Sequence, residues 1–591
     1  MKNKSQIFCG AAKKTQLFSF FTAILVSMPI FCIAENTVMR DIQIEASLGE
    51  ISSVAMLEGI ANNRVVGVSG GDGSIDLDAM RITNMAAIGG LAALDLSLVT
   101  NTQNFDLNLD VLDYLNLNTL SPVVQSSVVD LHNSQDVVLN GRLGNISNIS
   151  FLSEESKLNI LKIDEVRIVS ANLVSGDISN VSTMTKSDLR VAGVSETHHL
   201  EYSQNLGNVN LVGAATGDIS ATLGDLWNIY KSNVHNDIGN VDVISSVSGP
   251  VFLGVGTVRS VDSSDLDFNI GDISLTSIGS LGVNARLLDI EDMERGELSV
   301  DIGNVSIVNT MSDVLSLDIA TVKDAQNSEL VVDVGSVDVG AVSGKASVNI
   351  ARVAHSVNDS FDLQIGSVDV SAVLGNAEFS FGNFFDTKHS NFHMLVDDVT
   401  ASANLGNVLV GIGHFSNVQY SDIFARLGSV SAISILSSSS LDILRLQNVY
   451  NSSVSLFSGD VTGHANATTG GVQIELASLE NVNDANLNVN IGNIFAVSTA
   501  GVGGIDIKVG VLDGRGQNGR NLSVHTGKIV ATREGTIGTS EIFIGYNPPN
   551  FNSSVVTGDI FTQCNSLGDP IDWFLGVIGF DTECKGRIVI N

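Results

Sequence analysis

Apolar and polar residues alternate through most of this chain, and the alternation slips at regular places. Phe361, Leu363, Ile365, Val368 and Val370 stand at i, i+2, i+4, i+7 and i+9, and Leu330, Val332, Val334, Val337 and Val339 repeat the figure. A period of two on β-branched and aliphatic residues predicts strands. The slip of one position predicts a corner or bulge between two of them, because it moves the inward face by one residue. At the slip sits a short signature: an apolar residue, Gly, then Asn, Asp or Ser, then Val or Ile. It opens at Leu143 and returns, with variations, at Ser175, Leu206, Ile238, Ile270, Ile302, Val334, Ile365, Val396, Leu427, Ser458, Ile491, Thr526 and Thr557, in steps of 31 to 35 residues. Self-similarity at such a period identifies an array of repeats.

A weaker signature lies halfway between these marks. It reads Leu223-Gly224-Asp225-Leu226, Ile350-Ala351-Arg352-Val353 and Ile412-Gly413-His414-Phe415, and a polar turn such as Asn327-Ser328 or Asn451-Ser452 follows it. The pattern therefore reads as modules of about 16 residues paired in a repeat of about 32. The predicted fold is all-β: a repetitive parallel β-solenoid, a β-helix or β-roll, in which each coil stacks its apolar residues on those of the next. At the bend, Asn145, Asp177, Asn208, Asn240, Asp272, Asn304, Ser336, Ser367, Ser429, Asp460 and Asn493 are expected to form a polar ladder that satisfies backbone groups at each corner. The alternative is an antiparallel meander, closed into a membrane barrel. Strict apolar-out alternation and aromatic girdles would accompany such a barrel. The chain has 5% aromatic residues, with phase breaks in most modules.

The hydrophobic pattern divides the chain further. Lys2, Lys4, Lys13 and Lys14 precede an apolar run from Leu17 to Ile33, so residues 1–34 read as a cleaved export signal. Residues 35–142 read as degenerate amino-terminal coils and a cap, 143–560 as the regular solenoid and 561–591 as a carboxy-terminal cap. Cys564 and Cys584, the pair left after the signal, are expected to form one disulfide in an exported protein. Their loop holds Trp573, Phe574 and Phe580, and a cap is what an open solenoid end requires. The expected location is the cell surface or the medium.

Charge narrows the partners. The formal net charge is −34, and removal of the signal's four lysines makes it −38. Such a surface repels nucleic acid, which is excluded as a partner. Cell-surface or extracellular-matrix components, polysaccharide among them, and further copies of the chain remain.

Candidate chemistry is sparse. Gly70-Gly71-Asp72-Gly73-Ser74-Ile75-Asp76 approaches a calcium-binding nonapeptide, but Ile75 stands where an Asp ligand belongs, and the motif occurs once instead of stacking. His198-His199 and the pair His389/His393 lack a third ligand at a metal-site spacing. Gly514 to Gly519 reads as an inserted loop with no helix behind it to hold a phosphate. Paired carboxylates for polysaccharide cleavage would need loops that interrupt the coils. The irregularities are small: an extra Leu405-Gly406-Asn407-Val408 and the longer steps near Ile491 and Thr526. No catalytic, cofactor or metal residue is assigned, and a non-enzymatic role is expected.

The rhythm of Ser347-Val348-Asn349-Ile350-Ala351-Arg352-Val353 and Phe361-Asp362-Leu363-Gln364-Ile365-Gly366-Ser367-Val368 resembles the short coils in the heads of trimeric autotransporter adhesins. More loosely, it is similar to the β-helical shafts of filamentous-haemagglutinin-type exoproteins. The resemblance implies a bacterial surface or adhesive protein. The chain shows no heptad stalk and no membrane-anchor barrel of those families, so anchoring by another protein, or release, is expected. Their pattern supplies no site residue to carry over.

Overall fold

The computed structural model describes residues 42–590 except 57–59, 88–90, 120–122, 152–154, 184–185, 214–216, 247–248, 280, 312, 467–469, 500–502, 514–520, 535–538, 545–552 and 566–584. Among the described residues the chain is all-β, a parallel β-solenoid of about 14 turns. Strands meet their equivalents of the neighbouring turn in the same direction, which excludes the antiparallel meander and the barrel. The chain forms two compact units. The first runs to Ser280 and takes in Met293–Asp301; the second comprises Leu281–Asp292 and continues from Ile302.

One turn of the second unit consists of the strands Ser360–Ile365, Val368–Ala372 and Ala377–Phe385. Val334, Ile365 and Val396 stack in the first of the three sheets, Val337, Val368 and Val399 in the second, and Ile350, Phe381 and Ile412 in the third. The turn is therefore three-sided, and the longer repeat is one full turn. The weaker signature lies across the coil, on the third strand, and stacks on its own copies. The stronger and weaker modules do not stack on each other.

The slip in the hydrophobic pattern is the first corner. Phe361, Leu363, Ile365, Val368 and Val370 are all at most 2% exposed, so the inward face continues across it. Burying each such side chain contributes about 1.5–3 kcal/mol, and stacking repeats that gain in every turn. The core tightens where aromatic residues meet: the Phe384 and Phe415 rings stack with centroids 5.1 Å apart, and Phe392 lies 4.4 Å from Phe384.

The weaker signature is a bend inside the third strand, marked by a residue with positive φ. The column reads Ala351 (56°), Gly382 (69°), Gly413 (68°), Leu444 (65°) and Ala477 (57°). Glycine takes this conformation freely, whereas an L side chain pays roughly 1–2 kcal/mol. Two further left-handed residues follow in each turn, such as Asp386 (54°) and His389 (56°), and they close the third corner. Asn, whose side chain tolerates this region best after Gly, recurs there at Asn327, Asn358, Asn417, Asn448, Asn451 and Asn481.

The first unit has the same three-sided turn, for example Asn233–Ile238, Val241–Ser245 and Pro250–Asp262. Stacking is already in register at Ile42–Met56 on Gly73–Ala87, and from there onto Phe105–Thr119. Inside these turns runs a column of amides: Asn84, Asn116, Asn148 and Asn180 are all 0% exposed. Each amide Nδ2 donates to the Oδ1 of the next, at 3.1, 3.0 and 3.0 Å. Buried Ser126, Ser156 and Ser187 brace the column, with Asn116, Asn148 and Asn180 donating to them at 2.8, 3.1 and 3.2 Å. After Asn180 the same column turns apolar, with Leu211, Val243 and Leu275 in register.

Candidate functional site

At the first corner the glycine leaves the turn so tightly that the Asx side chain of one coil bonds the backbone of the next. Asn145 Oδ1 accepts from Asp177 N at 3.0 Å, Asp177 Oδ1 from Asn208 N at 2.9 Å, Asn208 Oδ1 from Asn240 N at 3.0 Å, and Asn240 Oδ1 from Asp272 N at 3.0 Å. In the second unit Asn304 Oδ1 accepts from Ser336 N at 3.0 Å, Asp460 Oδ1 from Asn493 N at 2.7 Å, and Asn493 Oδ1 from Lys528 N at 2.9 Å. Asp398, which the signature did not single out, does the same for Ser429 N at 2.7 Å. It is the third residue of the copy that opens at Val396, in which Asp397 replaces the glycine of the motif.

The glycine is required by space. A Cβ on Gly176 would stand 2.5 Å from Asn145 Oδ1, and one on Gly271 would stand 2.5 Å from Asn240 Oδ1. Where the preceding ladder residue is the shorter serine the site is roomier: the nearest atom to a Cβ on Gly366 is 3.1 Å away. Asp397, the exception to glycine, follows Ser367. The extra motif Leu405-Gly406-Asn407-Val408 belongs to the second corner, where Asn407 N donates to Asn376 Oδ1 at 2.9 Å.

The third corner carries two more columns. Buried hydroxyls run one way: Ser390 N donates to Ser421 Oγ and Ser421 N to Ser452 Oγ, both at 3.2 Å. Asp359 takes this position one coil earlier, receiving Ser356 Oγ at 2.6 Å, Ser328 N at 2.8 Å and Val357 N at 3.0 Å. Burial raises its carboxyl above the ordinary value despite those donors. Outside runs an exposed column in the second unit. His355 bridges Asp324 (3.0 Å) and Asp386 (3.4 Å), Asn417 donates to Asp386 at 2.7 Å, Asn448 to Asn417 at 2.9 Å and Asn481 to Asn448 at 3.1 Å. These left-handed positions project a continuous line of amides, imidazole and carboxylates into solvent.

In the first unit the corresponding corner opens into a polar groove of about 860 Å³. Asn133, Gln135, Glu165, Arg167, Glu196 and His198 line it, and Trp227, half exposed, adjoins the lining residue Asn228. His198 meets Tyr230 edge-on at 5.4 Å, while His199 is a left-handed corner residue, so adjacency in sequence does not make them a ligand pair. His389 stacks on Tyr420 at 4.9 Å and His393 on Phe424 at 5.1 Å, each bound to a ring of the following coil.

A second groove, of about 700 Å³, lies on an outer face of the first unit and gathers Glu45, Asp76, Asp78 and Asp110. Asp76 is bonded by Asn108 Nδ2 at 2.5 Å, and Asn108 in turn by Asn140 at 2.9 Å. Asp76 ends the glycine-rich Gly70–Asp76 segment, where Ile75 is only 4% exposed and packs as an ordinary core residue. Among the described residues no group of three or more His, Cys, Asp or Glu is arranged to hold a metal ion. Cys584, the aromatic residues around position 573 and the Gly514–Gly519 loop lie outside the described residues, and with them the disulfide. Comparison with protein-family models, with curated proteins and with solved structures finds no match.

Proposed function

We propose that this chain is an exported, non-enzymatic surface protein, structural or adhesive, that meets its partners along the outer columns of its solenoid. The observation that carries the reading is the Asp324–His355–Asp386–Asn417–Asn448–Asn481 column, in which similar polar groups recur once per turn at a fixed spacing. Repetition of a weak contact converts modest affinity into avidity, which suits an extended surface partner better than a small substrate. Cell-surface and matrix components fit this description. The polar groove at the third corner of the first unit favours polysaccharide as the second reading, since amides and a guanidinium suit a polyhydroxylated chain. The amino-terminal lysines and apolar run support export. Fractionation of the native cells, with intact-mass analysis of the chain, tests the first reading. The chain is expected at the surface or in the medium without residues 1–34; a full-length cytoplasmic chain would overturn it.

A further inference from the structure

Six aromatic side chains on the outer surface of the second unit lie close together on successive turns, with Phe424 and Phe457 half-buried and the other four exposed. His389 and Tyr420 stand in one column at the third corner, their rings parallel within 12°; Tyr450, in the adjoining column of Lys388 and Gln419, meets Tyr420 edge-on at 5.8 Å. His393 and Phe424 stand in a second column on the outer face of the adjoining strands, centroids 5.1 Å apart, and Phe457, in register with Arg426, reaches Phe424 diagonally at 5.5 Å. Between the columns lie the outward residues Asn391 and Asp422, in register on adjacent strands. The result is a trough with aromatic walls and a polar floor, running from turn to turn at the inter-strand spacing of about 4.8 Å.

The first column sits where the backbone disfavours it. Tyr420 has φ 53°, and its column in the second unit also holds Asn327, Asn358, His389, Asn451 and Asp484, mostly residues suited to that region. A bulky ring that is strained, 46% exposed and replaceable by Asn in its own column is poorly explained by folding. The corner imposes this conformation turn after turn; a bulky exposed ring in place of Asn is what points toward function.

We infer that this trough binds a neutral or amino-sugar polysaccharide, each turn offering a ring face to a sugar's C–H face and a carboxylate or amide to its hydroxyl or amino groups. Aromatic rings present flat apolar faces with a negative quadrupole, which suits C–H bonds and cations. Asp362, bonded to His393 at 2.9 Å, and Asp422 on the floor set an acidic field that disfavours uronates and sulfated sugars. The inference rests on the adhesive reading and gives it a ligand class and a place.

The test is co-sedimentation of the mature full-length chain with chitin and with cellulose particles, and with polygalacturonate gel as the anionic control. Two substitutions copy the residue found one turn on in the same column: Tyr420→Asn follows Asn451, and Phe424→Ser follows Ser455. The wild-type chain is expected to bind chitin or cellulose and not polygalacturonate. The double variant is expected to lose at least tenfold in binding while melting no lower with Tyr420→Asn alone. Absence of binding to both neutral particles, preference for polygalacturonate, or a double variant that binds as wild type would overturn the assignment. If the chain binds neither particle yet is exported and adheres to whole cells, the trough fails and the adhesive reading stands.

Discussion

Replacing Gly176 by Ala probes the corner ladder directly. The new Cβ would lie 2.5 Å from Asn145 Oδ1, 3.1 Å from the Gly144 carbonyl carbon and 3.3 Å from Asn145 N. Only the first contact is impossible, so the Asn145 side chain must swing away and give up its 3.0 Å bond to Asp177 N. Losing that bond costs about 1 kcal/mol, and residual crowding adds about 1 kcal/mol, against a gain of roughly 0.5 kcal/mol from a less flexible unfolded chain. The expected cost is therefore about 1–2 kcal/mol. Asn145→Ser alone should cost about 1 kcal/mol, the value of the same bond. In the double variant the bond is lost once, and the Cβ meets nothing nearer than 3.1 Å. The two changes should thus couple by about 1 kcal/mol, as neighbours sharing one interaction do. A solenoid of many turns does not unfold in one step, so the readout is native-state hydrogen exchange at Asp177 and Ile178, converted to local opening energies. Costs that add within about 0.3 kcal/mol would refute the steric account of this glycine. Gly366→Ala, beyond Ser336, serves as the control and should cost less than Gly176→Ala.

Inside the first unit, Asn148→Leu should lower the local opening energy by about 3 kcal/mol, although Leu211 fills the same column two turns on. The substitution orphans buried partners of Asn148, including the Lys157 carbonyl at 3.2 Å, and hydrogen exchange across Ser147–Ser150 would read it. His235 should titrate above an ordinary histidine: burial opposes its proton, but bonds to Asp267 (2.8 Å) and Asp237 (3.3 Å) prevail. Its stabilising contribution is then complete below the unfolded value of about 6.5 and is lost as pH rises through the raised folded value, a midpoint that NMR would follow. Asp267→Asn should bring it down; an unchanged midpoint would sink that assignment. Asp369 is held above the ordinary carboxyl value by burial first and then by Asp338. Folding stability should therefore fall as pH rises from about 3.8 through its raised value, and Asp338→Asn should blunt that fall in acid titrations.

Much of the coil was legible because its geometry constrains short stretches of sequence. The i, i+2, i+4, i+7, i+9 figure exposes the first corner, since an inward face can continue around a bend only by skipping one residue. The corner glycines were equally plain, because a Cβ there would strike the preceding coil. Other features left weaker marks. The bend in the third strand and the third corner both need φ above zero, which Ala, Gly and even Leu444 satisfy at the bend and Asn, Asp, His and Tyr420 at the corner, so no single residue type announces either. The buried amide column left no mark because polar residues on an inward face contradict the alternation that identifies a strand. What resolves the contradiction is contact between turns, which lies some 32 residues away in sequence, as between Asn116 and Asn148. The aromatic trough was invisible for the same reason. His389, His393, Tyr420 and Phe424 are unremarkable in order, and only the stacking of turns brings the rings of one coil onto those of the next.

The same stacking makes folding and recognition compete for the outer corner. Each turn must place residues in the left-handed region, and Asn satisfies that need at the lowest cost after glycine. A solenoid selected for stability alone would fill these columns with Asn or Gly, and much of the second unit does so at Asn417, Asn448 and Asn481. Departures from that rule measure what the surface is for. Tyr420 costs roughly 1 kcal/mol more than Asn in backbone conformation at its position and leaves its ring half exposed beside His389 and Tyr450. Tyr420→Asn should therefore raise the local opening energy at Gln419 and Ser421 by about 1 kcal/mol while it removes one wall of the trough. A variant that becomes more stable and loses binding would separate the two demands on this residue. If it becomes less stable, the ring is part of the packing, and the argument from strain to function collapses.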